Sequence, residues 1–156
     1  MIGVIDYGLG NVQAFLNIYQ EFNIPAVRVK TRHELRGCDR LILPGVGSFD
    51  WAMERLNASG LRDDLDEAVL RQKKWVLGVC VGMQMMARSS EEGVLPGLGW
   101  VPAVVRRFND ALHSVKLPHM GWNEVEPVSE ESLFRGMSRP SFYFLYSYVI
   151  APDEEE

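Results

Sequence analysis

Cysteine is scarce in this chain: Cys38 and Cys80 are the only two among 156 residues. Two thiols cannot build the disulfide framework of a small secreted domain, and these two lack metal-ligand spacing. A reducing, cytoplasmic setting is therefore expected, with no metal and no cofactor. Long apolar runs are also missing, and no segment approaches the roughly 20 residues that cross a bilayer as a helix. The opening Met-Ile-Gly-Val-Ile-Asp has no basic segment and no cleavage site, so no secretory leader is expected. Positive charge is not in excess either. Sixteen basic against 21 acidic residues leave a net charge of -5, which argues against nucleic acid or an anionic membrane as partner. Histidine is limited to His33, His113 and His119, a shortage that matters below.

What remains is ordinary globular material. A 47% hydrophobic and 24% charged composition over this length predicts one domain, residues 1–156, able to bury a sizeable core. The first half alternates short apolar runs with amphipathic stretches. Strands are predicted at 1–6, 26–30, 40–43 and 75–79, the last of them buried. Helices are predicted at 12–21, 49–56, 61–72 and 82–88. That rhythm implies an α/β fold with a mostly parallel sheet covered on both faces. After Pro96 the texture changes to strands at 100–108, 122–126 and 142–150 with little helix between them. An antiparallel extension of the parallel sheet is the natural reading.

The chemistry concentrates at Gly78-Val79-Cys80-Val81-Gly82, between a strand and a helix. A nucleophile on such a turn is exposed, and flanking glycines relieve the crowding of a sharp backbone. The helix start favours the thiolate, and the N–H of Val81 can point at an oxyanion on the attacked carbon. An isolated Cys is more often a small buried hydrophobe, and Cys38, in a polar stretch, is read only that way. Pro44-Gly45-Val46-Gly47-Ser48 follows another strand at the same sheet edge, where α/β proteins place their crevice. Its backbone N–H groups suit the second half of an oxyanion hole. The plainer alternative is a strand-to-helix turn with Ser48 as helix cap.

Four blocks occur in order: Asp6-Tyr7-Gly8-Leu9-Gly10-Asn11, Leu43-Pro44-Gly45-Val46-Gly47-Ser48-Phe49, Leu77-Gly78-Val79-Cys80-Val81-Gly82-Met83-Gln84, and Leu117-Pro118-His119-Met120-Gly121-Trp122-Asn123. The set resembles the glutaminase subunit of imidazole glycerol phosphate synthase, a class I glutamine amidotransferase with a three-layer, flavodoxin-like fold. The resemblance runs from Met1 to about Ala151. It implies that Cys80 attacks the side-chain amide of glutamine, giving a glutamyl thioester and ammonia. It implies an oxyanion hole from Val81 with Val46 and Gly47, and glutamine contacts from Gly45, Gln84, Glu92, Ser147 and Tyr148. Asn11, Met120 and Trp122 would face a partner cyclase that receives the ammonia in histidine biosynthesis. Beside these roles stand plainer ones: a helix cap for Asn11, a surface helix position for Gln84, core packing for Trp122.

The family's general base is a His oriented by a Glu two residues on, in a segment after the strand at 142–150. No such segment occurs here, and the histidines present are not expected to replace it, so the C-terminal part of the fold is expected to be missing and the chain inactive as it stands. Tyr146 also departs from the family, which has His in the corresponding Phe-Val-His-Ser-Tyr run. Three other readings remain open: an amidotransferase serving surface-polysaccharide sugar amidination, a non-catalytic interaction module that keeps the fold, and an unrelated Cys hydrolase, against which the Pro118-His119-Met120-Gly121-Trp122-Asn123 block speaks.

Overall fold

The four apolar runs of the first half pair into one parallel sheet. In the computed structural model, which describes residues 1–108, 117–127 and 133–153, these are β1 (Ile2–Ile5), β2 (Ala26–Val29), β3 (Arg40–Gly45) and β4 (Trp75–Cys80). Their order is β2-β1-β3-β4, with Ile2 beside both Ala26 and Arg40, and Arg40 beside Trp75. The chain leaves β1 toward β2 on one side and then crosses to β3 on the other. That reversal opens a crevice beyond the C-terminal ends of β1 and β3.

Alternation along the strands sorts side chains to two faces. Val4 and Ile42 pack with Val12, Phe15, Leu16 and Tyr19 of α1 (Val12–Glu21). Ile5, Val29, Leu41 and Leu43 face the other way, against α2 (Arg32–Arg36), α3 (Phe49–Ala58), α4 (Arg62–Asp66) and α5 (Val81–Met85). Phe49, Met53 and Leu56 are wholly buried there. Each such side chain contributes about 1.5–3 kcal/mol by leaving water. Helices thus lie on both faces of the sheet, over β1 and β3.

Differences in detail have local causes. The helix α2 falls in a stretch to which the patterning assigns no element. Its signal was nonetheless written in Thr31-Arg32-His33-Glu34, a reciprocal capping box in which the Thr31 hydroxyl accepts from Glu34 N–H and Glu34 accepts from Thr31 N–H. The helix expected over 61–72 is present but changes to a π-helical turn at Glu67–Arg71. The helix expected to reach Arg88 stops at Met85, because the carbonyls of Met85, Met86, Ala87 and Arg88 accept bonds from residues 97–101 instead. β4 is not the buried strand predicted. It forms the sheet's edge, and Trp75 and Leu77 are exposed. A strand read from hydrophobicity alone does not reveal whether a neighbour covers it.

The chain divides into two compact units, Met1–Arg106 with the segment from Ile150, and Arg107–Val149. The later strands pair among themselves rather than with β4. Ser89–Ser90 (β5), Ala103–Arg107 (β6) and Tyr148–Pro152 (β9) make a three-stranded sheet. His119–Glu124 (β7) and Ser141–Tyr146 (β8) form an antiparallel hairpin. The strand expected over 142–150 is interrupted at Ser147, whose carbonyl accepts from Phe108 N–H. Among the described residues no helix is long and apolar enough to cross a membrane.

Candidate active site

Cys80 closes β4 and Val81 opens α5, so the thiol sits at the turn between them. Its backbone has φ 56° and ψ -125°, a region that costs a non-glycine residue about 1–3 kcal/mol and persists only where surroundings enforce it. The enforcement is visible in the glycines. In the parallel ladder Gly45 lies directly beside Cys80. A Cβ on Gly45 would stand 2.2 Å from Gly82 N, and one on Gly82 would stand 2.0 Å from the Leu43 carbonyl oxygen. One on Gly78 would meet Met83 Cα at 2.4 Å. The turn is therefore wedged against β3 at distances only glycine permits, and the thiol is left exposed.

Tyr7 braces the same corner from β1. Its buried hydroxyl donates to the Pro44 carbonyl at 2.7 Å and lies 3.6 Å from Met85 Sδ. Burial, and then the negative charge a Cys80 thiolate carries, push the phenol well above its ordinary value, so it stays a neutral donor. Beside it, burial raises the Asp6 carboxyl, but the Arg28 hydrogen bond at 2.7 Å, the Gly8 N–H and the charges of Lys30 and Arg28 outweigh this and hold it below its usual range. Tyr7 was not singled out by sequence reasoning; only its place in the Asp6-Tyr7-Gly8 block marked it.

The loop after β3 carries Val46, half exposed, and Gly47 at φ 85°. A Cβ on Gly47 would stand 3.6 Å from Trp51 Cδ1, the Arg55 guanidinium stands 5.8 Å over that ring, and the same guanidinium fills the space a Cβ on Gly8 would need. Ser48 holds the cap position of α3, yet its side chain makes no capping hydrogen bond. The Phe49 N–H donates instead to Glu92 Oε2 at 2.8 Å. Glu92 thus has a structural partner that its expected role in binding glutamine did not foretell.

Gln84, one turn beyond Cys80, is 9% exposed, which removes the surface position as its alternative. Asn11 caps α1 by accepting from Ala14 N–H at 3.1 Å. Ser147 and Tyr148, like Met120 and Trp122, belong to the second unit. Met120 and Trp122 share a hairpin face with Leu145 and Tyr143 opposite them, all four exposed, so Trp122 is not core. Tyr146 lies opposite His119, ring centroids 5.2 Å apart, within an aromatic group that includes Phe108 and Phe144. His33 is exposed on α2, and His113 lies outside the described residues. Among the described residues no group of His, Cys, Asp and Glu is arranged to hold a metal.

An exposed thiol on an enforced turn, followed by an N–H that no helical carbonyl can accept, is equipment for attack on an acyl carbon. Comparison with known proteins places it in a family. Residues 9–112 match the SNO glutamine amidotransferase family. The imidazole glycerol phosphate synthase subunit HisH of Bdellovibrio bacteriovorus is 55% identical over 151 residues, 95% of this chain and 74% of that protein. The HisH subunit of Leptospira borgpetersenii is 46% identical over 159 residues, covering 100% of this chain and 78% of that protein. A crystal structure of a glutamine amidotransferase superposes with a TM-score of 0.67 at 21% identity, over 92% of this chain and 70% of that one, a likeness of fold. The chain belongs to the glutamine amidotransferases, on the branch of the HisH subunits of imidazole glycerol phosphate synthase.

Proposed function

We propose that this protein releases ammonia from glutamine through a thioester on Cys80 and passes it to a cyclase subunit, in the cytoplasm, for imidazole glycerol phosphate synthesis in histidine biosynthesis. The observation that carries this reading is the Cys80 turn wedged beside Gly45 at the crevice edge. The thiolate sulfur adds to the side-chain amide carbon and the C=O pair moves onto oxygen. The Val81 N–H, with Val46 and Gly47 of the neighbouring loop, receives that charge. The pair then returns, the C–N bond breaks, and nitrogen leaves with an added proton as ammonia. Water opens the thioester to glutamate and restores the thiol. Gly45, Gln84 and Glu92 hold the substrate in this reading. Asn11 and the exposed Met120 and Trp122 face the cyclase, and both compact units belong to one amidotransferase domain.

The thiol proton and the ammonia proton need a carrier. His33 follows the outer strand β2, three strand spacings from β4, roughly 14 Å across the sheet. His119 belongs to the other unit, its ring engaged by Asn123, Phe144 and Tyr146. In this reading neither of the two described histidines serves as the base for Cys80.

Two measurements test these statements separately. Incubation with a glutamine-derived electrophile is expected to label Cys80, with protection by glutamine and no labelling of Cys80→Ser; labelling that glutamine does not slow refutes the glutaminase reading. Glutamate release by residues 1–156 is expected to stay at background even with cyclase present. Steady turnover that Cys80→Ser abolishes would show that a base is supplied after all.

A further inference from the structure

We propose that Asp50 is a positioning residue of the oxyanion loop, joining the first turn of α3 to residues 90–95 so that the Val46–Gly47 amides are held beside Cys80. The inference rests on the glutaminase reading above. A loop of three residues, Val46, Gly47 and Ser48, separates the end of β3 from the start of α3. One end is fixed, because Gly45 is clamped against Cys80 and Gly82. The other end depends on how α3 is anchored, and Ser48 does not anchor it through its side chain.

The anchor comes from a segment more than 40 residues further on. Asp50 Oδ1 accepts the Val94 N–H at 3.1 Å and the Leu95 N–H at 3.0 Å, and Oδ2 accepts the Val94 N–H at 2.9 Å. In return Glu92 Oε2 accepts the Phe49 N–H at 2.8 Å, and the Ser90 hydroxyl accepts the Glu92 N–H at 3.1 Å. Gly93 makes the closeness possible, since a Cβ there would stand 2.0 Å from Asp50 Oδ1. The two carboxylates thus exchange hydrogen bonds in opposite directions between adjacent residues of the two segments. Charge-assisted bonds of this kind are short and directional, so the clasp fixes rotation as well as distance. Trp51, the next residue of α3, borders the loop, its Cδ1 3.6 Å from where a Cβ on Gly47 would stand, and that rotation sets where its ring meets the loop. The Asp50 carboxylate is spent on the Val94 and Leu95 N–H groups, so its effect on an oxyanion is made through α3.

The test compares Asp50→Ala and Asp50→Asn with the parent chain, using two probes of Cys80. A glutamine-derived aldehyde forms a hemithioacetal whose oxygen needs the loop amides, whereas iodoacetamide reports only thiol access and reactivity. Asp50→Ala is expected to weaken aldehyde binding roughly tenfold to a hundredfold, as a small misplacement of stabilising groups does, with iodoacetamide alkylation within about twofold of the parent rate. Asp50→Asn is expected to recover most of the loss, because one amide oxygen at the Oδ1 position still reaches both N–H groups. Unchanged aldehyde binding in Asp50→Ala overturns the proposal. So does an equal fall with both probes, which marks a general disturbance of the fold, and so does failure of Asp50→Asn to recover binding. If the parent chain itself does not bind the aldehyde, the glutaminase reading falls and the role of Asp50 falls with it.

Discussion

At the residue scale the site is a matter of which atoms leave room for which. Gly82 illustrates this: a Cβ there would stand 2.0 Å from the Leu43 oxygen, so even Ala must push the Cys80 turn off β3. Gly82→Ala is expected to cost at least about 1–3 kcal/mol, the usual penalty of overpacking. It should also suppress Cys80 capture by the glutamine electrophile far more than its loss of stability explains; chemical denaturation and labelling rates together check this. Tyr7 makes a pH-dependent contribution. Its folded-state value lies above the ordinary 10.0, so above about pH 10 the unfolded chain loses a phenolic proton that the folded chain keeps. The unfolded state then binds fewer protons, and stability falls as pH rises. Tyr7→Phe is expected to lose about 1 kcal/mol near neutrality with the Pro44 hydrogen bond, and to show a flatter decline above pH 10 in urea titrations.

At the element scale, pairing register decides what each strand presents. In the β7–β8 hairpin Met120 faces Leu145 and Trp122 faces Tyr143, putting four large side chains on one exposed face. Because Trp122 is 71% exposed, Trp122→Ala is expected to leave the melting temperature nearly unchanged. Its loss should appear in cyclase binding, at about 2 kcal/mol or roughly thirtyfold in Kd, the scale of an aromatic anchor. Calorimetric titration against the cyclase subunit measures it; an unaltered Kd removes this face from the proposed interface. Elements were also where sequence reading was weakest. Helix α2 was overlooked although Thr31 and Glu34 spell its cap, because five residues carry almost no periodicity. The end of α5 was overrun, because nothing in residues 82–88 tells that their carbonyls serve residues 97–101.

At the scale of the whole molecule, the parts of the proposed site that can be described lie together in one unit. The nucleophile, the adjoining loop and buried Gln84 all belong to the first unit, around the C-terminal edge of β3 and β4. Under the proposed function a thiol in that setting accepts an electrophile, and turnover needs a proton carrier as well. Single-event labelling with background turnover is accordingly the expected kinetic signature, measured as one equivalent of label per chain against glutamate released over hours.

The sequence by itself determined the parallel α/β pattern, the Cys80 turn and the Pro44–Ser48 loop, because periodicity, glycine placement and short motifs are local properties of a chain. Its blocks also carried the family resemblance. Only the tertiary structure decided that Gly45 stands beside Cys80, that Glu92 and not Ser48 caps α3, that Asp50 holds residues 94 and 95, and that Trp75 and Trp122 are exposed. Each of these depends on residues distant in sequence meeting in space, and strand order and packing, not local propensity, choose such partners.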